Sequence, residues 1–136
     1  MGHVHHSVAG LRLFGDDLNP DAVSVLLGTR PTYGCKKGDE QILRNGRTRI
    51  EKTGSWRLDA ARREPEDLEA QVFELLDKLT QDFEVWTDLS EKYKIDLFCG
   101  IFMDSENAGL PLSPEALLAL GKRRIKLDLD IYFTND

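Results

Sequence analysis

From Ile125 to Phe133 every odd position is apolar (Ile125, Leu127, Leu129, Ile131, Phe133), with Lys126, Asp128, Asp130 and Tyr132 between them. Period two over this length predicts a strand with one face on a core and the other toward water. A second strand is predicted through Ile95, Leu97, Cys99, Ile101 and Met103, whose opposite face carries Asp96, Phe98, Gly100 and Phe102. Ser7 to Phe14 predicts a third, with Ala9, Leu11 and Leu13 on one side. Helical spacing replaces this alternation elsewhere. Leu68, Val72, Leu75, Leu76 and Leu79 recur at intervals of three and four and predict the longest helix, starting near Glu66 after Pro65. Val85, Trp86 and Leu89 predict another from Asp82 to about Tyr93.

Two further helices are marked by their ends. Asn19-Pro20-Asp21 and Ser113-Pro114-Glu115 each place a side-chain oxygen at the N-cap and proline at the first helical position. The oxygen accepts a free backbone N–H, and proline loses nothing where its N–H would be unpaired. Gly28 and Gly121 are the expected stops. Between the first and long helices, Thr29 to Ala60 is only weakly periodic. Asn45-Gly46 predicts a two-residue type I′ turn pairing Gln41–Arg44 with Arg47–Ile50, with Arg44 directly opposite Arg47. Thr53-Gly54 predicts a second turn into a strand over Ser55–Leu58.

Together these elements predict a single α+β domain over residues 1–136. It has two layers: a mostly antiparallel sheet of about five or six strands, with helices packed on one face and the other face open. Composition agrees with a packed globule, 40% hydrophobic and 31% charged. No apolar run approaches the roughly 20 residues needed to cross a bilayer. The first fifteen residues lack the features of a signal peptide, and two cysteines do not make a disulfide framework, so a reduced, cytoplasmic protein is expected.

The order and spacing of several segments resemble the uncharacterised bacterial DUF4279 family. They are Asp17-Leu18-Asn19-Pro20, Leu26-Leu27-Gly28 before Pro31-Thr32, Lys37-Gly38, Ser55-Trp56, the leucine-rich helix, Leu112-Ser113-Pro114-Glu115 and Leu127-Asp128-Leu129-Asp130-Ile131-Tyr132. The resemblance implies one compact domain. It implies no catalytic residues.

Candidate chemistry begins with His3, His5 and His6, the only histidines of the chain. An H-x-H pair on a strand points both imidazoles to one face, and imidazole binds zinc, copper or nickel. His3 and His5 with Asp128 and Asp130 form a candidate metal set, provided the two strands are neighbours. Solvated side chains at the N-terminus and on an amphipathic strand are the plainer account of all four. Gly34-Cys35-Lys36-Lys37-Gly38-Asp39 lacks the spacing of a phosphate loop, and no histidine near Cys35 in sequence can serve it as a base. No cofactor is therefore expected.

Charge sharpens the picture. The net charge of −6 argues against a generic nucleic-acid binder. It hides a bipolar chain: eight basic and three acidic residues from Arg30 to Arg57, then eleven acidic and three basic from Asp59 to Glu91. Either the two segments pack together, or Arg47 and Arg49 in a basic hairpin meet a partner. Phe98, Phe102 and Tyr132, with Trp56 joining them, are expected on the outward sheet face, where clustered aromatics mark a partner or dimer surface.

The expected function is a non-enzymatic interaction module acting through protein–protein contacts, with a homodimer as one form of association. An acidic immunity-type protein that masks a basic toxin is one concrete version. The alternative is a small metal-dependent or small-molecule-binding enzyme built on His3, His5, Asp128 and Asp130.

Overall fold

The computed structural model describes residues 2–133. Among them the chain runs β1 (Gly2–His3), β2 (His6–Gly15), α1 (Pro20–Leu27), β3 (Tyr33–Cys35), β4 (Glu40–Ile42), β5 (Thr48–Ile50) and β6 (Gly54–Asp59). It continues through α2 (Leu68–Leu76), α3 (Phe83–Lys92), β7 (Lys94–Met103), β8 (Ala108–Gly109), α4 (Pro114–Lys122) and β9 (Lys126–Phe133). Five strands form the central sheet in the order β3-β6-β2-β7-β9. All neighbours are antiparallel except β7 and β9, which are parallel. β1 pairs with β8, and β4 with β5, as two small satellites. The fold is α+β, with a mostly antiparallel sheet and helices packed on one face.

Alternation decides which face is dry. Ala9, Leu11 and Leu13 of β2 and Ile95, Leu97, Cys99 and Ile101 of β7 are all buried. They join Leu68, Val72 and Leu75 of α2 and Trp86 and Leu89 of α3 in one continuous cluster. The N-caps of α1 and α4 are those the sequence predicts. Asn19 accepts from the N–H of Asp21 and Ala22, and Ser113 from that of Ala116. A polar pair sits inside the dry layer, Gln71 with Ser7: Gln71 accepts from Ser7 Oγ at 2.7 Å and donates to the carbonyls of Ser7 and Ala61, both at 2.9 Å. With every polar atom engaged, a fully buried amide is tolerated.

Five expectations are corrected. The leucine-rich helix is short: it starts after the cap Asp67 and stops at Leu76, leaving Leu79 buried in the turn that follows. That turn is tied to α1, since Thr29 Oγ1 donates to the Lys78 carbonyl and the Thr80 N–H to that of Leu27. Gly121 lies within α4, and the left-handed residue after that helix is Arg124, at φ 57°. The hairpin has a three-residue connection: the Gly46 N–H bonds to the Leu43 carbonyl, and Leu43, not Arg44, opposes Arg47. Only Gly46 takes positive φ (82°), which is the type I turn with a glycine bulge and not type I′. This register moves Arg44 out of the ladder and removes the like-charge pair.

Trp56 is the fourth correction. It is 0% exposed, on the dry side of β6 with Gly54 and Leu58, and its indole N–H donates to Ser24 Oγ at 3.0 Å. The fifth concerns β9. Ile125 is buried, but Leu129, Ile131 and Phe133, further along this edge strand, are 40%, 58% and 50% exposed.

Candidate functional site

Among the described residues no helix covers the opposite face of the sheet, so its side chains make the site. Register puts them in rows across the strands. One row runs Tyr33, Arg57, Arg12, Asp96, Lys126, the next Asp59, Gly10, Phe98, Asp128, and a third His6, Phe102, Tyr132. In the third row the rings form a ladder. His6 stacks on Phe102 with centroids 4.2 Å apart, and Phe102 stacks on Tyr132 at 4.8 Å. Cross-strand aromatic neighbours of this kind stabilise each other while leaving ring area for a partner. The Tyr132 hydroxyl donates to Asp130, and this bond raises its pKa.

Arg12 organises the first row. Its Nε and Nη2 donate to the two oxygens of Asp96 at 2.8 and 2.7 Å, and Nη2 lies 3.9 Å from Asp128. The hydrogen bond to Asp96 raises the Arg12 pKa, so the guanidinium stays charged. Its guanidinium carbon also lies over the Phe98 ring, 4.4 Å from the centroid, and over Phe14 at 5.1 Å. A bidentate pair in contact with two rings is a rigid platform, since cation–π attraction and forked donation fix the same group. Beside it the sheet is hollowed at Gly10, where a Cβ would come within 2.6 Å of Asp59 Oδ1. The hollow has a volume of about 230 Å³ and is rimmed by Val8, Arg57, Asp59, Arg62 and Phe98.

Phe98, Phe102 and Tyr132 thus fall together on the open face as expected, and Trp56 does not. Arg47 and Arg49 lie in the exposed β4–β5 hairpin, where Arg49 pairs with Glu51 at 2.8 Å. The ion pairs of the basic segment are local or with Asp16: Arg49–Glu51, Arg57–Asp59 and Lys37–Asp16. Packing of the basic segment onto acidic α2 and α3 is not what neutralises it. Cys35 is buried against Ser55 Oγ at 3.2 Å, and the Asp39 carboxylate closes its own loop by accepting the Lys36 N–H at 2.8 Å. Burial pushes the Cys99 thiol up to about 12, which makes it an inert core residue.

The candidate metal set does not come together. His3 lies in β1 beside β8, and His5 pairs with Glu64 at 3.1 Å, whereas Asp128 and Asp130 line β9. Among the described residues no three His, Cys, Asp or Glu side chains converge to hold an ion. His6, and not His3 or His5, reaches toward β9, through the ring ladder. Burial, Arg62 and His5 together lower its pKa. A second depression, of about 680 Å³, is lined by Phe14, Asp16, Lys92, Tyr93 and Lys94 and holds none of the predicted histidines or paired aspartates.

Sequence reasoning missed Arg12 and Phe14, and it named His6 with the other histidines without its place in the ring ladder. The alternation of β2 already puts Arg12 and Phe14 opposite Leu11 and Leu13, so their face was legible. Their partners required strand register.

An α+β domain with a helix-covered face and an aromatic, charged open face is the class this fold defines. The sequence model of one family, described as Domain of unknown function (DUF4279), matches residues 4–134. The chain belongs to that family. No curated protein and no solved structure matches it. Among the described residues no helix is long and apolar enough to cross a membrane.

Proposed function

We propose that this protein is a cytoplasmic, non-enzymatic interaction module that holds a protein partner against the open face of its sheet. The observation that carries this reading is the pairing, on one uncovered face, of the His6–Phe102–Tyr132 ladder with the Arg12 platform. Stacked rings at one end of the face and the charged Arg12–Asp96 pair further in give it both the apolar and the polar contacts an interface uses. The platform needs no ligand to form, so little ordering entropy opposes binding. A net charge of −6 favours a basic partner, whose approach it accelerates. Masking of a basic toxin is one activity of this kind.

The test is position-specific photo-crosslinking in the native cytosol. A crosslinkable residue at Phe102 or Tyr132 is expected to trap one partner, and the same residue at Val25, exposed on α1, is expected to trap none. Phe102→Ala with Tyr132→Ala is expected to release that partner without unfolding the chain, and added salt to weaken the complex. Trapping of the same species from Val25 would remove the open face as the site.

A further inference from the structure

The two edges of the central sheet are treated differently. At one, β3 has three residues, follows closely on Pro31, and its Gly34 sits against the rings of Pro20 and Pro31. At the other, β9 has eight residues and, among the described residues, bonds only to β7, so its outer N–H and C=O groups face outward along the strand. Soluble proteins usually blunt such an edge by shortness, proline or charge on both faces. Here one face of the edge strand is apolar and uncovered: Leu129, Ile131 and Phe133. α4, the helix packed against β9, adds exposed Leu117 and Leu118 on the same side of the sheet.

We infer that β9 pairs antiparallel with β9 of a second copy of this chain, across a twofold axis at Ile131. Charge and the extent of the apolar face together favour this register: an axis at Tyr132 would also keep like charges apart within β9, but it would set Leu129 against Asn135. An axis at Asp128 or Asp130 would set an aspartate against its own copy, and an axis at Leu129 would oppose Asp128 to Asp130 twice. Like charges directly opposite are unfavourable. An axis at Leu127 would match Lys126 to Asp128, but Ile131 and Phe133 would then run past the start of the other strand. The axis at Ile131 pairs Ile131 with itself, Leu129 with Phe133 and Asp130 with Tyr132. No like charges meet, and the three uncovered apolar side chains of each copy cover those of the other. Tyr132 already donates to Asp130 within one chain, so the same donor and acceptor serve across the axis. A slip of one residue would move an aspartate onto the apolar face.

A twofold contact of this kind is closed, and it joins two five-stranded sheets into one. The ring ladder His6–Phe102–Tyr132 ends on β9, so the two open faces become neighbours on a continuous surface. Dimerisation through the edge does not depend on the face binding a partner.

Sedimentation equilibrium of the full chain is expected to give a dimer. Ile131→Lys is expected to give a folded monomer, because the side chain is already largely outside the core, and Phe133→Lys serves as a second variant. Circular dichroism checks the fold of both. Ile131→Cys is expected to link to its own copy on mild oxidation, since opposed strand residues lie within disulfide reach. Leu127→Cys is expected to give no link. A wild-type monomer at the highest soluble concentration overturns the inference. A dimer that survives both lysine variants, or one that links through Leu127→Cys and not Ile131→Cys, also overturns it.

Discussion

The two faces of the central sheet are made by the same strands, offset by one residue, and they are held by different forces. On the dry face Leu11, Leu13, Leu97 and Trp56 are removed from water against α1, α2 and α3, so stability comes from burial and close packing. On the open face Arg12, Asp96, Phe98, Phe102 and Tyr132 keep part of their surface in water, and order comes from forked hydrogen bonds and stacked rings. The dry face must be intact for the chain to fold. The open face can change its side chains while the fold remains, and that is what makes it the adaptable surface.

The largest expected effect tests this division directly. Trp56→Ala should cost about 3–5 kcal/mol, the range for a large aromatic removed from a packed interior, and Phe102→Ala less, about 1–3 kcal/mol for its two aromatic stacks. Urea denaturation of the two variants measures both. Comparable losses would mean that the open face is as structural as the core.

Next is the one amide buried in the dry layer. Gln71→Ala leaves Ser7 and the Ala61 carbonyl without their partner and is expected to cost about 1–3 kcal/mol, as for other orphaned buried groups. Gln71→Leu restores the volume and not the hydrogen bonds. If both variants lose the same stability, the hydrogen bonds matter and the cavity does not.

The smallest effect concerns pH. Burial alone would raise the Glu74 pKa, but the Ala61 N–H and Arg63 outweigh it and hold the carboxyl below its ordinary 4.5. A carboxylate with a lowered folded pKa stabilises the fold above its unfolded value, and that stabilisation is lost as pH falls through the folded one. Melting temperatures measured downward from pH 4.5 should therefore fall less steeply in Glu74→Gln than in the wild type. Parallel curves would show that this link between α2 and the strand-flanking segment contributes nothing.

How much of this was legible depended on the length of the periodic signal. β2 and β7 alternate over ten residues each, and their buried faces follow from sequence alone. Trp56 lies in a six-residue strand with no such run around it, and its side was decided by α1, which offers Ser24 to the indole. Asn45-Gly46 announced a hairpin, but its register turned on one glycine taking positive φ where two such residues had been expected. The alternation in β9 was read correctly as a strand. Its exposure could not be read, because alternation says which side chains share a face and not how far the helices opposite extend.

By itself the sequence determined the helix N-caps, the long strands, their apolar sides and the layered α+β class, since each depends on neighbours a few residues apart. Tertiary structure alone decided that Arg12 meets Asp96 across 84 residues, that Tyr132 continues a ladder begun at His6, and that β9 forms an uncovered edge. Those contacts join residues far apart in the chain. Strand order and register bring them together, and no local pattern encodes either.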